Sequence, residues 1–237
     1  MDLVTYHAKP ELKAAFLAEI GKHEALDALV KRSYGQMNGH FKGCAIGCSV
    51  YSLNVLQGKK GQAAALNTGD HDRMVTDLGW PRWLAYAEDT IFEDLPDDLS
   101  KTWPRRLAEA IPVGVTVSDV VLAKFLRWLV LGDQFGLVHA ADDESVKSII
   151  RTMGALFDRT IAGDLVPEDA WDAWAAWAAR AAWAARAARA AWAARAASAA
   201  RAARVRDAFY PALSEEVLRL FRELAPSPVN TTPEAAA

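Results

Sequence analysis

From Trp171 to Arg204 every third residue is Trp, Arg or Ser, and from Ala175 onward every position between them is Ala. Alanine has the highest helix propensity and the run holds no Gly or Pro. The pattern therefore predicts one continuous helix over residues 168–210, roughly 60 Å long. A rod of that length dictates the fold class: an all-α bundle in which shorter helices clasp one long Ala-rich helix. Three is not the helical period, so each step advances the large side chains by about 300° and winds them around every face. The Trp-rich N-terminal half is expected to be better buried than the Arg-rich half. Expansion of a short DNA repeat explains the triplets equally well, because Trp and Arg codons differ by one base and selection need only keep helicity and register.

Residues 173–206 carry seven Arg and no acid, which leaves the rest of the chain at about −10 for an overall charge of −3. A basic helix can dock on such an acidic body. Nucleic acid is the weaker expectation as a partner, because these cations circle the helix instead of gathering on one face. With 237 residues, 52% of them hydrophobic, the chain can bury a core without staples. Two cysteines make no disulfide framework, and the N-terminus lacks a secretory pattern. The most apolar stretch, Val120 to Leu131, is interrupted by Lys124 and Arg127 and is too short to span a bilayer. The expectation is a cytoplasmic protein without membrane contact, with homo-oligomerisation left open.

Nearly every other segment reads as helix. Helices are predicted from Pro10 to about Arg32, from about Cys44 to Leu56, from Pro81 to about Glu93 with Leu84, Ala87 and Ile91 inward, and from Pro104 to about Ile111. Two more run from Asp119 to Leu131 under a Ser118 cap and from about Glu144 to Ala162 under an Asp143 cap. Pro211 is expected to break the long helix and Ser214 to restart a short one to about Leu224. This gives a helical body over 1–165, the long helix plus the short C-terminal helix packed on it over 166–225, and a loose tail over 226–237. Only Val113 to Val117 looks extended, so strand content is expected to be negligible.

Chemistry concentrates in GQMNGHFKGCAIGC, residues 35–48, where Gly35, Gly39, Gly43 and Gly47 recur every fourth position. A turn at Asn38-Gly39 followed by a helix N-terminus makes a loop whose amides suit a small anion, with Gly39, His40, Lys42 and Gly43 as candidate ligand-binding residues. The bland alternative is that the glycines let two helices pack closely. The same segment offers a thiol centre, with Cys44 or Cys48 as nucleophile, His40 or His71 as base and Asp70 or Asp72 as the orienting carboxylate. It also offers a metal set of His40, Cys44, Cys48 and His71. Buried cysteines acting only as small hydrophobes compete with both. Glu88, Asp89 and Glu93 read as part of a solvated helix face, with Asp89 and Glu93 one turn apart. No P-loop, dinucleotide fingerprint or HExxH pattern is present.

Four segments in order, KGCAIGCSVYS (42–52), TGDH (68–71), LGWPRWLAYAEDTIFEDLP (78–96) and WPRRLAEAIPVGV (103–115), precede the Ala/Trp/Arg helix. In this the chain resembles a family of uncharacterised proteins of bacterial and phage genomes. The resemblance implies no activity; it implies that the Gly-Cys segment and the Trp-Pro segments form one unit with the long helix. The residues together point first to a binding protein for a small anionic or nucleotide-like ligand, without a cofactor, and leave enzyme activity open. A thiol- or metal-dependent enzyme at the Gly-Cys segment and a structural, oligomerising helical protein are the alternatives.

Overall fold

The computed structural model describes residues 3–141, 143–164 and 199–225. The fold is all-α, with one small two-stranded ribbon among the described residues. Helix α1 (Pro10–Ala25) opens with Pro at its first position, where the missing N–H is no loss. The ribbon β1 (Gln36–Asn38) and β2 (His40–Lys42) follows, then α2 (Ala45–Leu56), α3 (Asp72–Leu78), α4 (Arg82–Asp94), the single turn α5 (Asp97–Ser100) and α6 (Trp103–Ala110). The remaining described helices are α7 (Asp119–Leu131), α8 (Glu144–Ala162) and α9 (Ala199–Arg222). Most of the predicted 168–210 helix and its Trp/Arg burial gradient lie outside the described residues.

Three local expectations change. Asn38-Gly39 does turn the chain, but the turn closes an antiparallel ribbon pairing Met37 with Phe41 and Asn38 with His40 around Gly39 at φ +76°. Phe41 is buried while His40 and Lys42 lie half-exposed, the alternation a strand imposes. Val113 to Val117 forms no strand; Thr116 makes one isolated bridge to Val4. Helix α9 runs through Pro211 without a break. The buried residues Phe209, Tyr210, Leu213, Val217, Leu218 and Phe221 seat it in the core on both sides of the proline. That packing outweighs the hydrogen bond a proline removes, a loss of about 3 kcal/mol. Of the two predicted caps, Asp143 accepts the Ser145 amide at 2.7 Å, whereas Ser118 makes no capping bond.

The core that positions the site is aromatic. Trp80, fully buried, meets Tyr6 and Phe16 edge-on at 6.1 Å each. Trp103 donates its indole N–H to the Glu88 carbonyl at 3.1 Å, tying α6 to α4, and Arg105 pairs with Glu24 to tie α6 to α1. Helix α4 is thus held from behind and presents its other flank to the start of α2. Because packing and not propensity keeps α9 whole, Pro211→Ala should stabilise the protein by about 1–3 kcal/mol in urea unfolding. A lower midpoint would show that the proline ring itself supports the core.

Candidate functional site

Cys44 begins the site. It caps α2 in extended conformation, its amide donates to the Ser33 carbonyl at 2.5 Å, and its sulfur accepts the Gly47 amide at 3.4 Å. Residues 28–34 wrap this helix start: Gly43 donates to the Ala28 carbonyl at 3.0 Å and Val30 to the Gly43 carbonyl at 2.8 Å. The Tyr34 carbonyl presses so closely on α2 that a Cβ at Gly47 would come within 2.1 Å of it. The glycine at 47 is therefore a packing requirement.

Facing Cys44, α4 presents Asp89 and, one turn on, Glu93. One ligand atom from each of Cys44, Asp89 and Glu93 lies within 4.8 Å of the others. Among the described residues neither carboxylate forms an ion pair with a Lys or Arg side chain; Glu93 instead accepts the Arg32 backbone N–H on both oxygens at 2.9 Å. The three acidic groups press on one another. Burial and then the Asp89 charge hold the Cys44 thiol far above its usual range. Burial raises the Glu93 carboxyl, against the Arg32 amide. Asp89 Oδ1 is buried and accepts no hydrogen bond.

His71, 9% exposed, stands on the other side of Asp89. Its Nδ1 lies 3.1 Å from the Gly69 carbonyl and its Nε2 lies 3.4 Å from Asp89 Oδ2, without hydrogen-bond geometry. A neutral imidazole has one N–H and can serve only one of these two oxygens. Tyr86 stacks face to face on the ring at 4.5 Å, and Tyr34 meets it edge-on at 6.0 Å. Both tyrosines are about half exposed and form the solvent side of the cluster, while Cys44 forms its inner wall. The Tyr34 hydroxyl is raised first by the charge of Asp89, which places the phenol beside the same carboxylate.

Glu88 lies deeper. It is fully buried, one oxygen accepts from Ser49 at 3.3 Å and the other has no partner. Burial, and then the neighbouring Asp89 charge, push its carboxyl up to about 8, so it carries a proton at neutral pH.

The predicted residues divide accordingly. Cys44 and His71 join the cluster, each beside Asp89. Asp70 does not: it is exposed and accepts the Asp72 amide at 3.0 Å at the start of α3, so the carboxylate at His71 is Asp89. Cys48 is buried one turn further in, donates to the Gly43 carbonyl at 3.4 Å, and is pushed up to about 12, chiefly by burial. His40 sits on the ribbon within electrostatic reach of His23, which burial lowers to about 4. The four-residue metal set His40, Cys44, Cys48 and His71 does not converge; among the described residues the ligand atoms that do are those of Cys44, Asp89 and Glu93.

Gly39 is at the exposed ribbon tip, Gly43 is buried, and Lys42 is half-buried, acting on Asp27. The Gly47 amide is taken by the Cys44 sulfur, and the groups around the helix start are acidic, the opposite of what an anion requires.

The reading of Glu88, Asp89 and Glu93 as a solvated face is corrected for Glu88, which is fully buried, and in part for Asp89 and Glu93, which are half-buried. The helical register carries the signal: Glu88 falls between Leu84 and Ile91, and Asp89 between Ala85 and Phe92, at the four- and three-residue steps of a buried face.

A surface cleft of about 810 Å³ lies elsewhere, between α7 and α9. Four cations line it, of which Lys124, Arg127 and Arg219 pair with Glu223, Asp158 and Glu216, the fourth being Arg222. No helix among the described residues is long and apolar enough to cross a membrane. Comparison of the chain with known protein families, with curated proteins and with solved structures finds no match.

Two outcomes follow from this geometry. Gly47→Ala should destabilise by about 1–3 kcal/mol, measured by urea unfolding, because the added carbon meets backbone and not a flexible side chain. For Glu88 the folded carboxyl titrates near 8 against an ordinary 4.5. The folded state thus holds a proton that the unfolded state loses first, and stability falls as pH rises from the lower value to the higher. Chelator-treated Glu88→Gln should show a flatter stability profile across that window; an unchanged slope would mean another group sets it.

Proposed function

We propose that the protein binds a thiophilic divalent metal ion through Cys44, Asp89 and Glu93, with His71 beside the centre. The observation that carries this reading is the convergence of three acidic ligand atoms within 4.8 Å, with no Lys or Arg side chain paired to either carboxylate among the described residues. His71 supports it independently, as a nine-tenths buried imidazole whose Nε2 lacks a hydrogen bond and faces Asp89. Metal-side histidines characteristically turn their other ring nitrogen to a backbone carbonyl, as Nδ1 does toward Gly69.

A tetrahedral ion with bonds of about 2.0–2.3 Å holds its ligand atoms about 3.3–3.7 Å apart, so modest side-chain rotation closes the set. Thiolate beside carboxylates favours Zn²⁺, Co²⁺ or Fe²⁺ over Mg²⁺ and Ca²⁺, which prefer oxygen alone. The electrostatics argue against the thiol-nucleophile alternative: the groups that would have to activate Cys44 suppress its ionisation. A cation reverses that, since a coordinated thiol is deprotonated outright.

The test is calorimetric titration of chelator-treated protein with Zn²⁺. Binding should be accompanied by proton release that differs between buffers of different ionisation enthalpy, and should weaken as pH falls. Cys44→Ser and Asp89→Asn should each lose at least about tenfold in affinity, whereas Cys48→Ser should change it little. Zn²⁺ affinity indifferent to Cys44 and Asp89 would remove the proposal.

A further inference from the structure

Resting on that metal reading, we infer that the centre keeps one exchangeable position, opening between Tyr34 and Tyr86, and that this position takes a neutral heteroaromatic nitrogen donor such as an imidazole or pyridine ring in preference to an anion. The convergent set supplies three protein ligands, and a three-ligand centre leaves a fourth position for a small molecule. Its location follows from exposure. Cys44 closes the inner side at 1% exposed, while Tyr34, beside Asp89 and Glu93, and Tyr86, stacked on His71, stand 51% and 48% exposed. Tyr34 is held in place from below, its ring over Gly69, where a Cβ would come within 3.1 Å, and its carbonyl against Gly47.

The ligand class follows from charge and shape. A thiolate and two carboxylates outweigh a dication by one unit, so the loaded centre is negative and repels a carboxylate or phosphate. A neutral nitrogen donor meets no such repulsion. The rim is aromatic, and Tyr86 already stacks parallel on one heteroaromatic ring, His71, at 4.5 Å with planes 7° apart. A planar ligand entering the open position would find phenol faces for offset or edge-on contact. His71 competes for the same position, since its Nε2 lies 3.4 Å from Asp89 Oδ2. It stands outside the set of atoms that converge within 4.8 Å, those of Cys44, Asp89 and Glu93, which leaves the position to the exogenous donor.

The experiment uses the full-length protein loaded with Co²⁺, whose visible spectrum reports coordination and whose near-ultraviolet thiolate charge-transfer band reports Cys44. Imidazole and pyridine should each shift the visible bands saturably, at least about tenfold more tightly than acetate or inorganic phosphate. Tyr86→Leu should weaken pyridine by up to about tenfold while leaving the thiolate band intact.

Absence of a thiolate band in the wild type would sink the metal reading itself. A thiolate band with visible bands that pyridine does not move, but that His71→Ala does, would show the fourth position closed by His71 and overturn this inference alone. Equal affinity for acetate and pyridine would overturn the charge argument. Tyr86→Leu protein that retains its unfolding midpoint but binds pyridine unchanged would overturn the assignment of the rim.

Discussion

The start of α2 depends on a contact that admits no side chain: the Tyr34 carbonyl lies where a Cβ of residue 47 would stand. This approach brings residues 28–34 around the helix start, lets Cys44 donate its amide to Ser33, and leaves the Gly47 amide for the Cys44 sulfur. The same contact places the Tyr34 ring over Gly69 and edge-on to His71. One glycine thus couples the thiol, the aromatic rim and the histidine. A larger residue there would displace all of them together.

Against this fixed feature α4 is set from behind by Trp103 and by the aromatic packing around Trp80. Its position forces Glu88 into the interior and Asp89 and Glu93 against Cys44. Burying a carboxyl without a cation is unfavourable, and the protein answers by keeping Glu88 protonated with a single weak hydroxyl contact. Asp89 is relieved by the Cys44 thiol and by His71 beside it. The strain of like charge is therefore concentrated where α2 and α4 meet.

The all-α class was legible because Pro10, Asp143 and the glycine-bounded apolar runs carry local signals. The start of α2 was legible for the same reason. The ribbon was not, since three-residue strands are too short to show alternation against a glycine background. Continuity through Pro211 was hidden because it is decided by tertiary burial of Phe209, Tyr210 and Leu213, which no local propensity contains. At the site, Cys44 and His71 were marked by residue type and by neighbouring turns. Asp89 and Glu93 read as solvated because acids on an amphipathic helix ordinarily are, and only the placement of α2 half-buries them. Adjacency in sequence points to Asp70 or Asp72 as the carboxylate at His71, whereas adjacency in space selects Asp89.

The acidity that raises the Cys44 thiol is also what separates the two chemistries a cysteine can offer here. A nucleophilic thiol needs a nearby positive charge or a base able to take its proton, and the groups nearest Cys44 are carboxylates. The dipole of α2 offers partial positive charge at its first turn, but one of those amides is already given to the sulfur. Only a mobile cation can satisfy thiolate and carboxylates at once, and a proton satisfies them one at a time. On the proposed metal reading, protons and the ion compete for the same three atoms, and His71 lies beside them between the Gly69 and Asp89 oxygens.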